Sequence, residues 1–264
     1  MMGMGRRSIL VSVILVCLST GCGSDDDADG DKGHEAHDGP GERTPDGGLR
    51  EVDCIDQSIS ALRLFDEPNQ ATVRDESKDN GTFTSLVDAS AGGSMATKGF
   101  VYVRFSDDGL KRVDLSDEDA FSSLDWDIAV RRYVIRLNSG ISGPNDVTGA
   151  RTAPDTDFAS VTDVPDDLEF RKEEYMSESC DLISDGSGLP NAPGTALSSF
   201  WAYSACVAMT HNVYVVALPE KRHVKLEVMS YYAPSYQETC DETGMVSMAS
   251  NGAGNMRIRW AFID

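Results

Sequence analysis

Two histidines and four cysteines are the side chains of this chain best suited to chemistry inside a folded domain. An imidazole can act as an acid, a base or a metal ligand near neutral pH. His223 opens an alternating run in which Val224, Leu226 and Val228 take the inward parity, so His223, Lys225 and Glu227 are expected to face out. His211, in Met209-Thr210-His211-Asn212 ahead of an apolar run, reads as a loop residue free for ligand duty. Cys54, Cys180, Cys206 and Cys240 lack Cys-x-x-Cys spacing, which argues against zinc and redox roles. Their even number predicts two disulfides, with all three pairings open. Asp25, Asp27, Asp29 and Gly30 resemble the first half of an EF-hand loop, but Ala36 stands where its closing carboxylate is required. His34 and His37 lie in the same acidic stretch and have no folded frame to set a metal geometry. There is no Gly-x-Ser-x-Gly elbow, phosphate-cradling Gly-rich loop or His-Glu-x-x-His. Carboxylates are so abundant that any single pair says nothing about a hydrolase.

The charge balance narrows the partners. The chain has 23 basic against 44 acidic residues, a formal net charge of −21. Such a surface is unsuited to nucleic acid, whose phosphates require basic groups, and is repelled by anionic lipid. The amino terminus reads as a targeting segment. Arg6 and Arg7 precede an apolar run, Ser8 to Leu18, too short to span a bilayer. Ser19-Thr20-Gly21-Cys22 follows, which is similar to a bacterial lipobox although Leu18 lies one place too far from the cysteine. Residues 1–22 are therefore expected to be a lipoprotein signal, with Cys22 lipidated. The membrane would then be met through that anchor alone. Residues 23–49, rich in Asp, Gly, Glu and Pro, bury too little to repay their ordering entropy and read as a tether. Residues 50–264 form the domain.

That domain reads as all-β and antiparallel with long irregular loops. Thr82 to Val87 is a strand; Gly99 to Phe105 and Leu110 to Leu115 form a hairpin turning at Asp107-Asp108-Gly109. Asp117-Glu118-Asp119 reads as a solvated charged loop. Trp126 to Leu137 reads as one central strand, ending at Asn138-Ser139-Gly140, with Arg132 breaking its parity. Phe200 to Tyr203, Val213 to Leu218, His223 to Tyr232 and Met256 to Phe262 complete the strands. Ser58 to Phe65 suits a short helix or strand, and no longer helical period is expected after the leader. Residues 139–198 are irregular, and a compact domain rarely carries so much loop without using it, so part of them is expected to wall a ligand pocket.

Several stretches together resemble the HmuY family of bacterial lipoproteins. They are Trp126-Asp127-Ile128-Ala129 to Arg132 with Asn138-Ser139-Gly140-Ile141-Ser142-Gly143-Pro144, then Trp201-x-Tyr203, Thr210-His211, Val213-Tyr214-Val215-Val216, Val224-Lys225-Leu226, Ser230-Tyr231-Tyr232 and the closing strand. They span residues 99–264, except that the family usually turns its second hairpin through Asp-Gly where this chain has Pro219-Glu220-Lys221. The resemblance implies a hand-like β fold that holds haem and passes it to an outer-membrane receptor, a non-enzymatic role in iron acquisition at the cell envelope. It also implies iron held by two loop side chains, two histidines in some members and two methionines in others. Both are sound haem ligands. On that basis the candidate axial ligands are Met176 together with either Met209 or His211, with Met245 and Met248 weaker candidates. The alternative is an envelope module of the same fold that binds another ligand or a protein partner.

Overall fold

The computed structural model describes residues 49–189, 191–247 and 249–263. The leader, Cys22, the Asp25 and His34 clusters, most of the tether and Met248 lie outside the described residues. The described chain is mostly antiparallel β, with twelve strands and two short α-helices. Helix α1 is Ile55–Leu62 and α2 is Pro234–Thr243. The strands are β1 Val73–Asp79, β2 Thr82–Asp88, β3 Val101–Ser106, β4 Gly109–Val113, β5 Ile128–Arg131 and β6 Val134–Leu137. They continue as β7 Thr148–Arg151, β8 Trp201–Tyr203, β9 Val207–Met209, β10 Val213–Ala217, β11 His223–Ser230 and β12 Asn255–Ile263. A six-stranded sheet runs β1-β2-β12-β11-β10-β7, a four-stranded sheet β4-β3-β5-β6, and β8 pairs with β9 alone.

Alternation along the strands explains the layers. Val101, Val103 and Phe105 of β3 share one apolar cluster with Ile128 and Val130 of β5, Val224, Leu226 and Val228 of β11, and Met256, Ile258 and Trp260 of β12. That cluster lies between the two large sheets. Trp260 stacks on Phe83 at 4.4 Å between ring centroids and meets the Phe105 edge at 4.9 Å. The opposite parity of the four-stranded sheet, Tyr102 and Ala129, packs with Trp126, Leu62 of α1, Tyr175 and Met176. The opposite parity of the larger sheet, Val213, Val215 and Ala261, packs under Phe158 and Val161.

This second covering corrects the expected outward face of β11. Lys225 is 8% and Glu227 3% exposed, because the segment around Phe158 lies across them. Lys225 Nζ donates to the Phe158 carbonyl at 2.9 Å, and Arg259 and Lys225 both stand over the Phe158 ring. Asp117 is also not solvated. It is 1% exposed and accepts hydrogen bonds from the amides of Phe65 and Phe100 and the hydroxyl of Tyr102. A polar group can enter a core when its lone pairs are so occupied. The stretch from Trp126 is not one strand but a hairpin, β5 and β6 paired with Arg131 opposite Val134. The parity break at Arg132 is the turn itself, with Arg132 at φ 54°. Helix α2 went unexpected because its apolar periodicity is weak. Its ends carry helix signals nonetheless, Pro234 in the first turn and Gly244 closing the helix at φ 72°. Among its described residues the long irregular segment contains β7, short 3₁₀ turns and isolated β-bridges.

Two disulfides fasten the loops. Cys54–Cys180 joins the start of α1 to the irregular segment, and Cys206–Cys240 joins the β8–β9 hairpin to α2. A buried carboxylate adds a third fastening. Glu173 is fully buried and accepts from Leu137 N at 2.8 Å and Ala196 N at 3.1 Å, bridging β6 to the end of the irregular segment. Burial pushes its carboxyl from 4.5 up to about 7, against the two amides and Arg136 that lower it. Between those values the folded state holds a proton that the unfolded chain has released. Stability therefore falls as pH rises from about 4.5 to about 7, by roughly 3 kcal/mol from this group, and is flat in its contribution above that. In Glu173→Gln that share of the slope is absent. Urea midpoints measured from pH 5 to 7 should decline less steeply in the variant than in the parent protein.

Candidate functional site

The β5–β6 turn sets the site. Its amide at Arg132 donates to the Ala89 carbonyl at 2.7 Å, which fixes the turn against the loop carrying Gly93 and Ser94. Tyr133, next along, is held by the β8 tryptophan: Trp201 Nε1 donates to the Tyr133 carbonyl at 3.0 Å, and the two rings lie 5.2 Å apart. Beyond this turn opens a groove of about 450 Å³ whose walls include Arg132, Tyr133, Tyr203, Tyr231, Tyr232 and Leu189. A second cavity of about 270 Å³ shares Ser94, Arg132 and Tyr133 with it and continues towards Leu62, Phe100 and Met95. These volumes fall near the range of small-molecule sites, and the aromatic walls suit a flat apolar ligand.

Helix α2 supports the tyrosine wall. Gln237 is 3% exposed; its Oε1 accepts from the amides of Tyr231 and Tyr232, and its Nε2 donates to the Val207 carbonyl at 3.0 Å. The Tyr232 hydroxyl accepts from Val207 N at 3.1 Å. Helix, tyrosine pair and β9 are thus one hydrogen-bonded unit, covalently closed by Cys206–Cys240.

Electrostatics set the groove apart from the acidic remainder. The Arg132 guanidinium stands 5.5 Å over the Tyr231 ring and makes no ion pair among the described residues. Arg131 donates to the Leu62 and Arg63 carbonyls, and burial brings its guanidinium down to about 10. Tyr231 is 2% exposed, and its hydroxyl has no hydrogen-bond partner among the described residues. Burial pushes that phenol upwards, opposed by Arg132. An orphaned hydroxyl beside an unpaired cation is a place prepared for an acceptor or an anionic group.

The residues singled out from sequence are distributed differently. Met176 is 6% exposed and packs with Tyr102, Trp126 and Tyr175, paired across a bridge with Leu182. Met209 is 8% exposed in the other main cluster, opposite Trp201, with its amide on Asp241 at 2.8 Å. His211 is half exposed at φ 54°, and its Nδ1 lies 2.8 Å from Glu227 Oε1. The hydrogen bond and charge of Glu227 raise the imidazole above its ordinary range, against a smaller opposing effect of burial. None of the three lines the groove or the adjoining cavity. Met245 is 65% exposed and also lies away from both. The irregular segment does contribute, through Leu189 to the groove and through Asn191 and Pro193 to the second cavity. Tyr133, Tyr203 and the Tyr231–Tyr232 pair line the groove but were not singled out from sequence as candidate ligand-contact residues. Their signals there are aromatic residues at strand ends and turns and, for Tyr203 and the tyrosine pair, membership of the family-like stretches. Among the described residues no cluster of His, Cys, Asp and Glu could hold a bare metal ion.

A family model described as HmuY protein matches residues 96–248, more than half of the chain. No curated protein matches it. Among solved structures, a candidate lipoprotein from Bacteroides fragilis is 15% identical, with 74% of this chain and 95% of that one covered at a TM-score of 0.44. A candidate HmuY-like haem-binding protein from Bacteroides vulgatus is also 15% identical, with 72% and 97% covered at 0.44. The apo HmuY analog of Tannerella forsythia is 12% identical, with 75% and 100% covered at 0.39. No helix among the described residues is long and apolar enough to cross a membrane.

The orphaned phenol has a measurable consequence. Tyr231→Phe removes a buried hydroxyl that makes no hydrogen bond, so the ligand-free protein should gain about 1 kcal/mol rather than lose it. Urea denaturation of parent and variant at one pH measures this; a loss of stability would show that the hydroxyl is satisfied in solution.

Proposed function

The chain belongs to the HmuY family, and from that premise we propose that it is an envelope lipoprotein that binds haem and catalyses no reaction. The observation that carries the reading is the tyrosine-walled groove at the β5–β6 turn, with unpaired Arg132 at its side and the Tyr231 hydroxyl unsatisfied. Aromatic walls would cover the porphyrin faces, where most of the affinity for such a ligand arises. Arg132 would pair with a propionate. Tyr203, half exposed on the β8–β9 hairpin, offers a phenolate to iron, and phenolate is an established haem ligand. Met95, 70% exposed in the adjoining cavity, offers a thioether. Met176, Met209 and His211 are the competing ligand set, and the first two would have to leave packed clusters to reach iron.

The rest of the arrangement follows the same reading. Residues 1–22 would direct export, lipid on Cys22 would anchor the protein to the envelope at the outer membrane, and residues 23–49 would let the domain reach a haem receptor there. Burial of Met176 and Met209 favours a second reading, in which the fold and anchor are kept but the groove holds another flat ligand or a partner segment.

Titration of the purified domain with haemin decides between them. The expected result is a Soret shift saturating at one equivalent. Affinity should fall roughly tenfold or more in Arg132→Ala and Tyr203→Ala, with the Soret maximum unmoved in Met176→Ala and in the Met209→Ala/His211→Ala double variant. An unchanged haemin spectrum in the parent protein would end the haem reading.

A further inference from the structure

Away from the groove, a second and much more polar cleft lies where the end of the irregular segment crosses β7 and β10. It measures about 190 Å³ and is lined by Gly149, Arg151, Arg171, Thr195, Ser198 and Tyr214, among others. Strand pairing places its two arginines on one face. Gly149 and Arg171 exchange backbone hydrogen bonds of 3.0 and 2.9 Å, so their side-chain positions face the same way. Arg151 is two residues along β7 and lies directly opposite Tyr214 of β10. Arg151 and Arg171 are therefore diagonal neighbours, a spacing that long side chains close easily. Leu197 presses on the same face, since a Cβ on Gly149 would come within 2.7 Å of its Cδ2.

Two guanidinium groups so placed repel each other, and this chain has acid to spare. Elsewhere it uses that acid: Arg222 pairs with Asp107, Arg257 with Glu76 and Arg259 with Glu227. Arg151 and Arg171 make no ion pair and no side-chain hydrogen bond among the described residues. The chain crossing above them is equally selective. The carbonyls of Ser198 and Ser199 are already taken, the first by the Tyr214 hydroxyl at 2.7 Å and the second by Thr210 Oγ1 at 2.8 Å and Asn212 Nδ2 at 2.7 Å. Ala196 N is spent on Glu173. The groups left towards the cleft are hydroxyls. Thr195 is only 5% exposed, and neither its hydroxyl nor those of Ser198 and Ser199 makes a hydrogen bond among the described residues. Two cations beside hydroxyl donors, with the Ser198 and Ser199 carbonyls already engaged, are the chemistry of an oxyanion site.

We propose that this cleft binds a doubly charged tetrahedral oxyanion of the phosphate or sulfate class between Arg151, Arg171 and the Thr195 hydroxyl. A neutral ligand would leave two adjacent cations uncompensated, and a single carboxylate would compensate only one. The site takes the free anion rather than a lipid headgroup, because the net charge of −21 keeps the body of the protein from an anionic surface.

Calorimetric titration of the full chain with inorganic phosphate at low ionic strength tests this. One saturable site is expected, with sulfate competing and acetate competing more weakly. Arg151→Gln/Arg171→Gln should weaken phosphate binding by roughly tenfold or more, and Thr195→Val should weaken it less, with thermal unfolding of each variant close to the parent. Haemin titration of the same variants should be unchanged, which separates this site from the groove. Absence of saturable phosphate binding overturns the proposal, as does binding that survives loss of both arginines. Co-sedimentation with phosphatidate vesicles without binding of free phosphate overturns the choice of the free anion.

Discussion

A charge without water around it governs one half of this protein. Arg136 of β6 is fully buried, 4.1 Å above the Phe100 ring, with Nη2 donating to the Tyr102 hydroxyl at 2.6 Å. Tyr102 in turn donates to Asp117 at 2.9 Å, and Asp117 gathers the amides of Phe65 and Phe100. Taking a guanidinium from water costs several kcal/mol unless its field is answered nearby. Here the answer comes through a phenol from a carboxylate that sequence alone places in a solvated loop. The relay ties β3, β6, the end of α1 and the loop before the Trp126 hairpin to one geometry. A hairpin held at its base in this way presents its turn rigidly, and the turn is what carries Arg132 and Tyr133 into the groove.

The groove's other wall depends on a different kind of constraint. Tyr231 and Tyr232 end β11, where the chain must leave the sheet, and Gln237 of α2 takes up both amides that the ladder no longer uses. The helix is short and weakly amphipathic, so its position comes from this glutamine and from the disulfide to the β8–β9 hairpin rather than from an apolar stripe. Two rigid walls of unrelated origin meeting across a few aromatic rings explain how an acidic protein holds a locally basic, apolar-lined opening.

Strand existence was legible in the sequence because a both-face-buried strand leaves a continuous β-branched and aromatic run, as in Val213 to Ala217, and a strand with one more exposed face alternates, as in Met256 to Phe262. Parity went wrong wherever a second layer covered a polar face: Lys225 and Glu227 alternate with valine and leucine, yet Phe158, 67 residues before Lys225, closes over them. The hairpin inside Trp126 to Leu137 was read as one strand: the parity break at Arg132 marks its turn, but a two-residue turn made of arginine and tyrosine lacks the Asn-Gly chemistry that advertises one. The family resemblance located the right strands and loops. The methionines it pointed to, Met176 and Met209, pack in the apolar clusters rather than line the groove.

By itself the sequence determined composition and its consequences: an acidic body, an all-β antiparallel domain, four cysteines able to pair, and a long segment without periodicity. These follow from properties local to a few residues, namely side-chain branching, alternation and charge. Only the tertiary structure decided which cysteines pair, which carboxylates are buried, and which side chains share a cavity. Each of those depends on contacts between residues tens to hundreds of positions apart, such as Arg131 with Leu62 or Trp260 with Ser85. No local pattern encodes such a meeting, since it exists only once the sheets have stacked.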